Sequence, residues 1–92
     1  MPEVADLVKK ERLRIIEKLR GMKVFKVFDS KANFVLFAAD GASARIHKAL
    51  IEQGIVIKNL GRVGRYDGCL RVTVGTHEMN SRFLTAIRDL LN

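Results

Sequence analysis

In the segment Cys69-Leu70-Arg71-Val72-Thr73-Val74-Gly75-Thr76, apolar and polar side chains alternate and then stop at glycine and threonine. Side chains on a strand point to opposite faces in turn. Leu70, Val72 and Val74 therefore share a face that needs a core, while Arg71 and Thr73 share the other. A chain carrying this segment has to build a sheet around it and cover one side. The residues after the segment indicate the cover. Thr76 suits a helix N-cap, and Phe83, Leu84, Ile87, Leu90 and Leu91 recur as one apolar stripe.

The rest of the chain divides on the same logic. Helical spacing of Val4, Leu7, Val8, Ile15, Ile16, Leu19 and Met22 predicts a first helix over Glu3–Arg20, with Glu11 and Arg12 interrupting its stripe and Gly21 as its C-cap. Val24–Phe28 reads as a half-buried strand, and Asp29-Ser30-Lys31 carries turn chemistry. Asn33–Ala38 is nearly all apolar, which predicts a central strand. Asp40 is expected to N-cap a second helix that buries Ile46, Ala49 and Leu50 and stops at Gly54. Ile55–Ile57 reads as a short strand, and Asn59–Gly68, with Gly61, Gly64 and Gly68, as a polar loop. The order helix, strand, strand, helix, strand, strand, helix predicts an α+β fold over residues 1–92. It would be a single domain with a small sheet of about four strands and helices packed on one face.

Composition narrows the classes. At 48% hydrophobic residues, the chain can offset the entropy cost of folding, so disorder is excluded. No apolar run approaches the ~20 residues that span a bilayer. The opening Met1-Pro2-Glu3 does not resemble a signal peptide, and one cysteine cannot form an internal disulfide, so a reducing cytoplasm is expected. Seventeen Lys and Arg against ten Asp and Glu give a net charge of +7, which attracts carboxylates, phosphates and nucleic acids alike.

Arg71 is the residue on which function turns. On the uncovered face of a rigid strand, its planar fork can grip a carboxylate or phosphate bidentately. Alternation alone leaves a second reading open, a surface arginine paired with a nearby acid. Other constellations carry less. Gly61-Arg62-Val63-Gly64 has the GxxG spacing of a KH loop, but such a loop joins two helices and this one joins two strand-like segments. His47, His77 and Cys69 lack metal-ligand spacing. Asn33 reads as a strand-end anchor, Cys69 as a small core hydrophobe and Tyr66 as a gap filler.

Gly68–Thr76, followed by Glu78 and Asn80, resembles the C-terminal signature of histidinol-phosphate aminotransferases, which are fold-type-I pyridoxal-phosphate enzymes. Glu11-Arg12 with Arg14 resembles the start of that family's small domain. Asp29-Ser30-Lys31-Ala32-Asn33-Phe34 resembles a strand opening, and Gly54-Ile55-Val56-Ile57-Lys58 the strand after the second helix. The likeness runs in order along nearly the whole chain. It implies that Arg71 binds the anionic end of a substrate, with Lys58 standing where many members carry a second arginine. Lys58 would act as a point charge rather than a fork, and a solvent role for it stands equally open.

The resemblance also implies what lies elsewhere. The large domain with the Schiff-base lysine is expected to be absent from these 92 residues, so this chain would supply no catalytic, cofactor-binding or metal-binding residue. Pyridoxal 5'-phosphate would belong to the complete enzyme and not to this chain alone. The partners implied are that large domain, the second subunit of a homodimer and a small anionic substrate; no membrane is expected. The implied activity is amino transfer between histidinol phosphate and 2-oxoglutarate in histidine biosynthesis, with the isolated chain inactive. The alternative is a stand-alone basic module for RNA or a small anion, motivated by the charge, the basic first helix and the GxxG. Its mark would be steeply salt-dependent binding.

Overall fold

The computed structural model describes residues 4–30 and 32–92. The predicted helix start at Glu3 and the turn residue Lys31 lie outside the described residues. The elements run α1 (Val4–Gly21), β1 (Lys26–Val27), β2 (Phe34–Ala38), a 3₁₀ turn (Asp40–Ala42), α2 (Ser43–Glu52), β3 (Ile57–Val63), β4 (Tyr66–Thr73) and α3 (His77–Leu91). The four strands form one antiparallel sheet in the order β1-β2-β4-β3. The α+β expectation therefore holds, with β2 and β4 central.

Alternation does the sorting that the sequence announced. Leu70, Val72 and Val74 are buried with Val35 and Phe37 of β2 and Ile57 of β3. Against them pack Ile15, Ile16 and Leu19 of α1, Ile46 and Leu50 of α2, and Phe83, Leu84 and Ile87 of α3. Phe37 lies at the centre, with ring centroids 5.2 Å from Phe25 and 6.1 Å from Phe83. All three helices cover this face, and the face carrying Phe34, Leu36 and Arg71 has no helix over it. No described helix is long and apolar enough to cross a membrane.

Several boundaries differ from expectation, each for a local reason. Gly21 is the last residue of α1 and not its left-handed cap; Lys23 adopts that conformation (φ 66). The strand predicted over Val24–Phe28 pairs only at Lys26 and Val27, because Val24 is exposed where the chain leaves α1. Asp40 does not cap α2. It opens the 3₁₀ turn at φ 46, Ala42 precedes α2, and neither N-terminus is capped by a side chain. Asp40 is held there by β4: Ala39 N donates to Gly68 O at 2.8 Å, and a Cβ on Gly68 would strike the Asp40 backbone. Gly54 does end α2 as expected. Its N–H bonds Ile51 O and that of Ile55 bonds Leu50 O, the paired bonds of a Schellman motif.

The largest correction concerns the predicted loop Asn59–Gly68. Most of it is strand: β3 runs to Val63, β4 starts at Tyr66, and only Gly64 and Arg65 connect them. Positive φ at Gly64 (59) with Arg65 on the usual side gives the φ signs of a II′ hairpin turn. Register shifts between Asn59 and Val63 mark bulges, where Gly61 (φ 67) is left-handed. The strand Ile55–Ile57 accordingly moves to Ile57–Val63. Being an edge with both faces wet past Ile57, β3 has no apolar alternation to read.

Candidate functional site

Arg71 sits in β4 between Leu36 of β2 and Lys58 of β3, its register partners on either side. Its guanidinium carbon lies 5.3 Å from the centroid of the Phe34 ring. This contact supports the head of the side chain while leaving all five N–H donors uncommitted. Among the described residues, Arg71 makes no ion pair and no side-chain hydrogen bond. Among the described residues, then, no acid stands with Arg71 to form the surface ion pair of the second reading.

The neighbouring surface is a depression of about 410 Å³, lined by residues 56–59, by Arg71 and Thr73 of β4 and by His47 of α2. Its lining includes two basic side chains, Arg71 half-buried and Lys58 exposed, and no carboxylate. A half-buried guanidinium with bare donors beside a lysine is suited to an anion, through one fork and one point charge. A pyridoxal cofactor needs more: a lysine for its aldehyde, a carboxylate for its ring nitrogen and a phosphate cradle. With no acid in the depression to meet a ring nitrogen, these residues do not fit that group.

A second cluster lies where α1 meets α3 and centres on Glu11, which interrupts the apolar stripe of α1. Its carboxylate is 12% exposed and accepts from Arg14 Nη2 at 2.8 Å, Arg14 Nε at 3.2 Å and Asn80 Nδ2 at 3.0 Å; His77 Nδ1 lies 3.2 Å from Oε2. The Arg14 hydrogen bond, helped by Asn80 and His77, outweighs the desolvation that pushes the other way. The Glu11 carboxyl drops from its ordinary 4.5 to about 2. The i,i+3 spacing of Glu11 and Arg14 was a usable signal; the approach of Asn80 from residue 80 was not.

The remaining candidates fall into place without chemistry. Thr76 caps α3, its Oγ1 accepting from Met79 N at 3.1 Å. Cys69 is fully buried, and Asn33 anchors a strand end through its backbone, its carbonyl accepting from Val74 N at 2.8 Å. Tyr66 packs edge-on to Phe28, and the Arg65 hydrogen bond lowers its phenol pKa. The GxxG lies in a β-hairpin, which removes the KH reading.

The sequence model of the family described as "Aminotransferase class I and II" matches residues 1–87. Histidinol-phosphate aminotransferase of Caldanaerobacter subterraneus is 33% identical over 92 residues, all of this chain and 26% of that protein. The second histidinol-phosphate aminotransferase of Nitrosococcus oceani is 40% identical over 90 residues, 96% of this chain and 25% of its own length. Among solved structures, histidinol-phosphate aminotransferase from Clostridium acetobutylicum superposes with a TM-score of 0.78 at 30% identity, over 91% of this chain and 26% of that one. A decarboxylase from Sulfurospirillum multivorans superposes at 0.73 with 28% identity, over 90% of this chain and 25% of its own. The chain spans about a quarter of the length of these relatives.

Proposed function

Because this chain belongs to the class I and II aminotransferase family, we propose that it is the C-terminal, substrate-side domain of a pyridoxal-phosphate-dependent enzyme of the histidinol-phosphate type. The observation that carries this reading is Arg71: half-buried, mounted on a central strand, backed by Phe34 and free of any acid among the described residues. On this reading its fork takes the carboxylate or phosphate of the substrate, Lys58 adds a second positive charge, and the amine is thereby oriented towards the rest of the enzyme. Fixing one end of a small molecule turns a random encounter into a positioned one.

The pyridoxal phosphate, the lysine that holds it and the second subunit of a homodimer belong on this reading to the remainder of a cytoplasmic enzyme, so the isolated chain does not transaminate. The kinship with a decarboxylase leaves the reaction to that remainder, while anion capture stays with this domain. The test is calorimetric titration of the chain with histidinol phosphate. Arg71→Lys keeps the charge and loses the fork, and should weaken binding about 10–100-fold, the worth of a charged hydrogen bond. Equal affinities for the two proteins would remove Arg71 from the site.

A further inference from the structure

Glu11 and Arg12 are neighbours on α1, yet they reach two different strand ends. Successive helical side chains point ~100° apart, which lets an adjacent pair make that split. Through Oε1, Glu11 holds Asn80 Nδ2 at 3.0 Å. Asn80, 2% exposed, brackets the peptide of Gly75: Nδ2 donates to Gly75 O at 3.0 Å, and Gly75 N donates to Oδ1 at 2.9 Å. Gly75 follows directly on the stretch that carries Arg71 and Thr73. Arg12, 9% exposed, donates from Nη1 to Ala32 O at 3.1 Å. Ala32 precedes Asn33, whose carbonyl holds Val74 N, and then Phe34, whose ring supports Arg71.

We propose that Glu11 and Arg12 are positioning residues for the anion site. From behind the sheet they clamp the end of β4 and the start of β2, and so set the distance between the Arg71 fork and the Phe34 ring. This rests on the reading of Arg71 as the anion-binding residue. The cost of the arrangement argues that it does more than pack. Arg12 is buried, and among the described residues it has no carboxylate partner and its Nε no hydrogen-bond partner. Burying a charge in that way is unfavourable, and an apolar side chain of similar length would fill the space without the penalty. What an apolar residue cannot supply is the bond to Ala32 that fixes where β2 begins.

The test compares the chain with Arg12→Met, Arg12→Lys and Glu11→Gln, using inorganic phosphate as the probe and NMR of the Arg71 Nε–H and the Phe34 ring as the reporter. Arg12→Met should keep or raise the thermal midpoint, displace both reporters and weaken phosphate binding about tenfold, as misplaced fixed groups do. Arg12→Lys, which keeps a donor for Ala32, should recover most of the affinity. Unmoved reporters and unchanged affinity in folded Arg12→Met and Glu11→Gln would overturn the proposal, as would a folded Arg12→Lys no better than Arg12→Met. Should Arg12→Met not fold, Glu11→Gln decides with the same reporters: displaced Arg71 and Phe34 signals with weakened phosphate binding support the clamp, and unmoved signals with unchanged affinity reject it. If the unaltered chain binds no phosphate, the anion-site reading fails, and the Arg71 and Phe34 signals in the variants still judge the clamp on its own.

Discussion

Arg71 and Arg14 are both half-buried arginines in one strongly basic chain, in opposite bonding states. Arg14, at the α1–α3 junction, bonds Glu11 through Nε and Nη2, His77 O at 3.2 Å and Ser81 Oγ at 3.1 Å. Arg71, on the uncovered sheet face, has an aromatic ring beside it and no side-chain hydrogen bond or ion pair among the described residues. The first ties two helices together and has little left for a ligand. The second adds little to the fold and keeps its fork for a ligand. Net charge of +7 does not distinguish them; the partners do.

The contrast can be broken by mutation. Glu11→Ala leaves Arg14, Asn80 and His77 short of an acceptor and should cost about 2–4 kcal/mol in urea unfolding. Arg71→Ala should stay within about 0.5 kcal/mol, as surface changes away from bonded networks do. Equal costs would erase the distinction between the two regions. A comparable contrast separates two glycines of the hairpin. Gly68→Ala places a Cβ against the Asp40 backbone at φ 67, whereas Gly64→Ala at φ 59 meets open space. Both carry backbone strain of about 1–3 kcal/mol, and Gly68→Ala should exceed Gly64→Ala by the added clash, read from their denaturation midpoints.

Acid sharpens the comparison with a smaller effect. Because the folded state lowers the Glu11 carboxyl from 4.5 to about 2, its contribution to stability is complete above pH 4.5 and is lost as the pH falls towards 2. Glu11→Gln should flatten the stability profile in that window. Arg71→Lys should leave it untouched, because no carboxylate partners Arg71 among the described residues.

What the sequence made legible depends on how much of each element is buried on one face only. α3 was read to within a residue or two because its apolar stripe is complete, and α2 because Ile46 and Leu50 end in a glycine stop; β4 was legible only from Leu70 on, since Tyr66–Gly68 belong to the hairpin and precede the alternating stretch. β3 from Asn59 onward was read as a loop because an edge strand wet on both sides beyond Ile57 has no period to detect, and its glycines suggested irregularity. Val63-Gly64-Arg65-Tyr66 did carry a hairpin signal, glycine first in a two-residue turn between strand formers. Asp40 misled because a good capping residue can equally occupy a left-handed turn, and Gly68, distant in sequence, decided which. At the candidate site, the alternation that exposes Arg71 was visible. The Phe34 ring beside it and the Glu11–Asn80 bond were not, since each joins residues dozens of positions apart.

Whether Arg71 is held ready for a small anion is read from nitrogen–proton NMR of the chain titrated with histidinol phosphate, alongside a short single-stranded RNA. Saturable shifts at the Arg71 Nε–H, at Lys58 and at Thr73 are expected with the small ligand. Shifts confined to the basic face of α1 and to Gly61–Gly64, appearing only with RNA and vanishing steeply with salt, would contradict that role for Arg71.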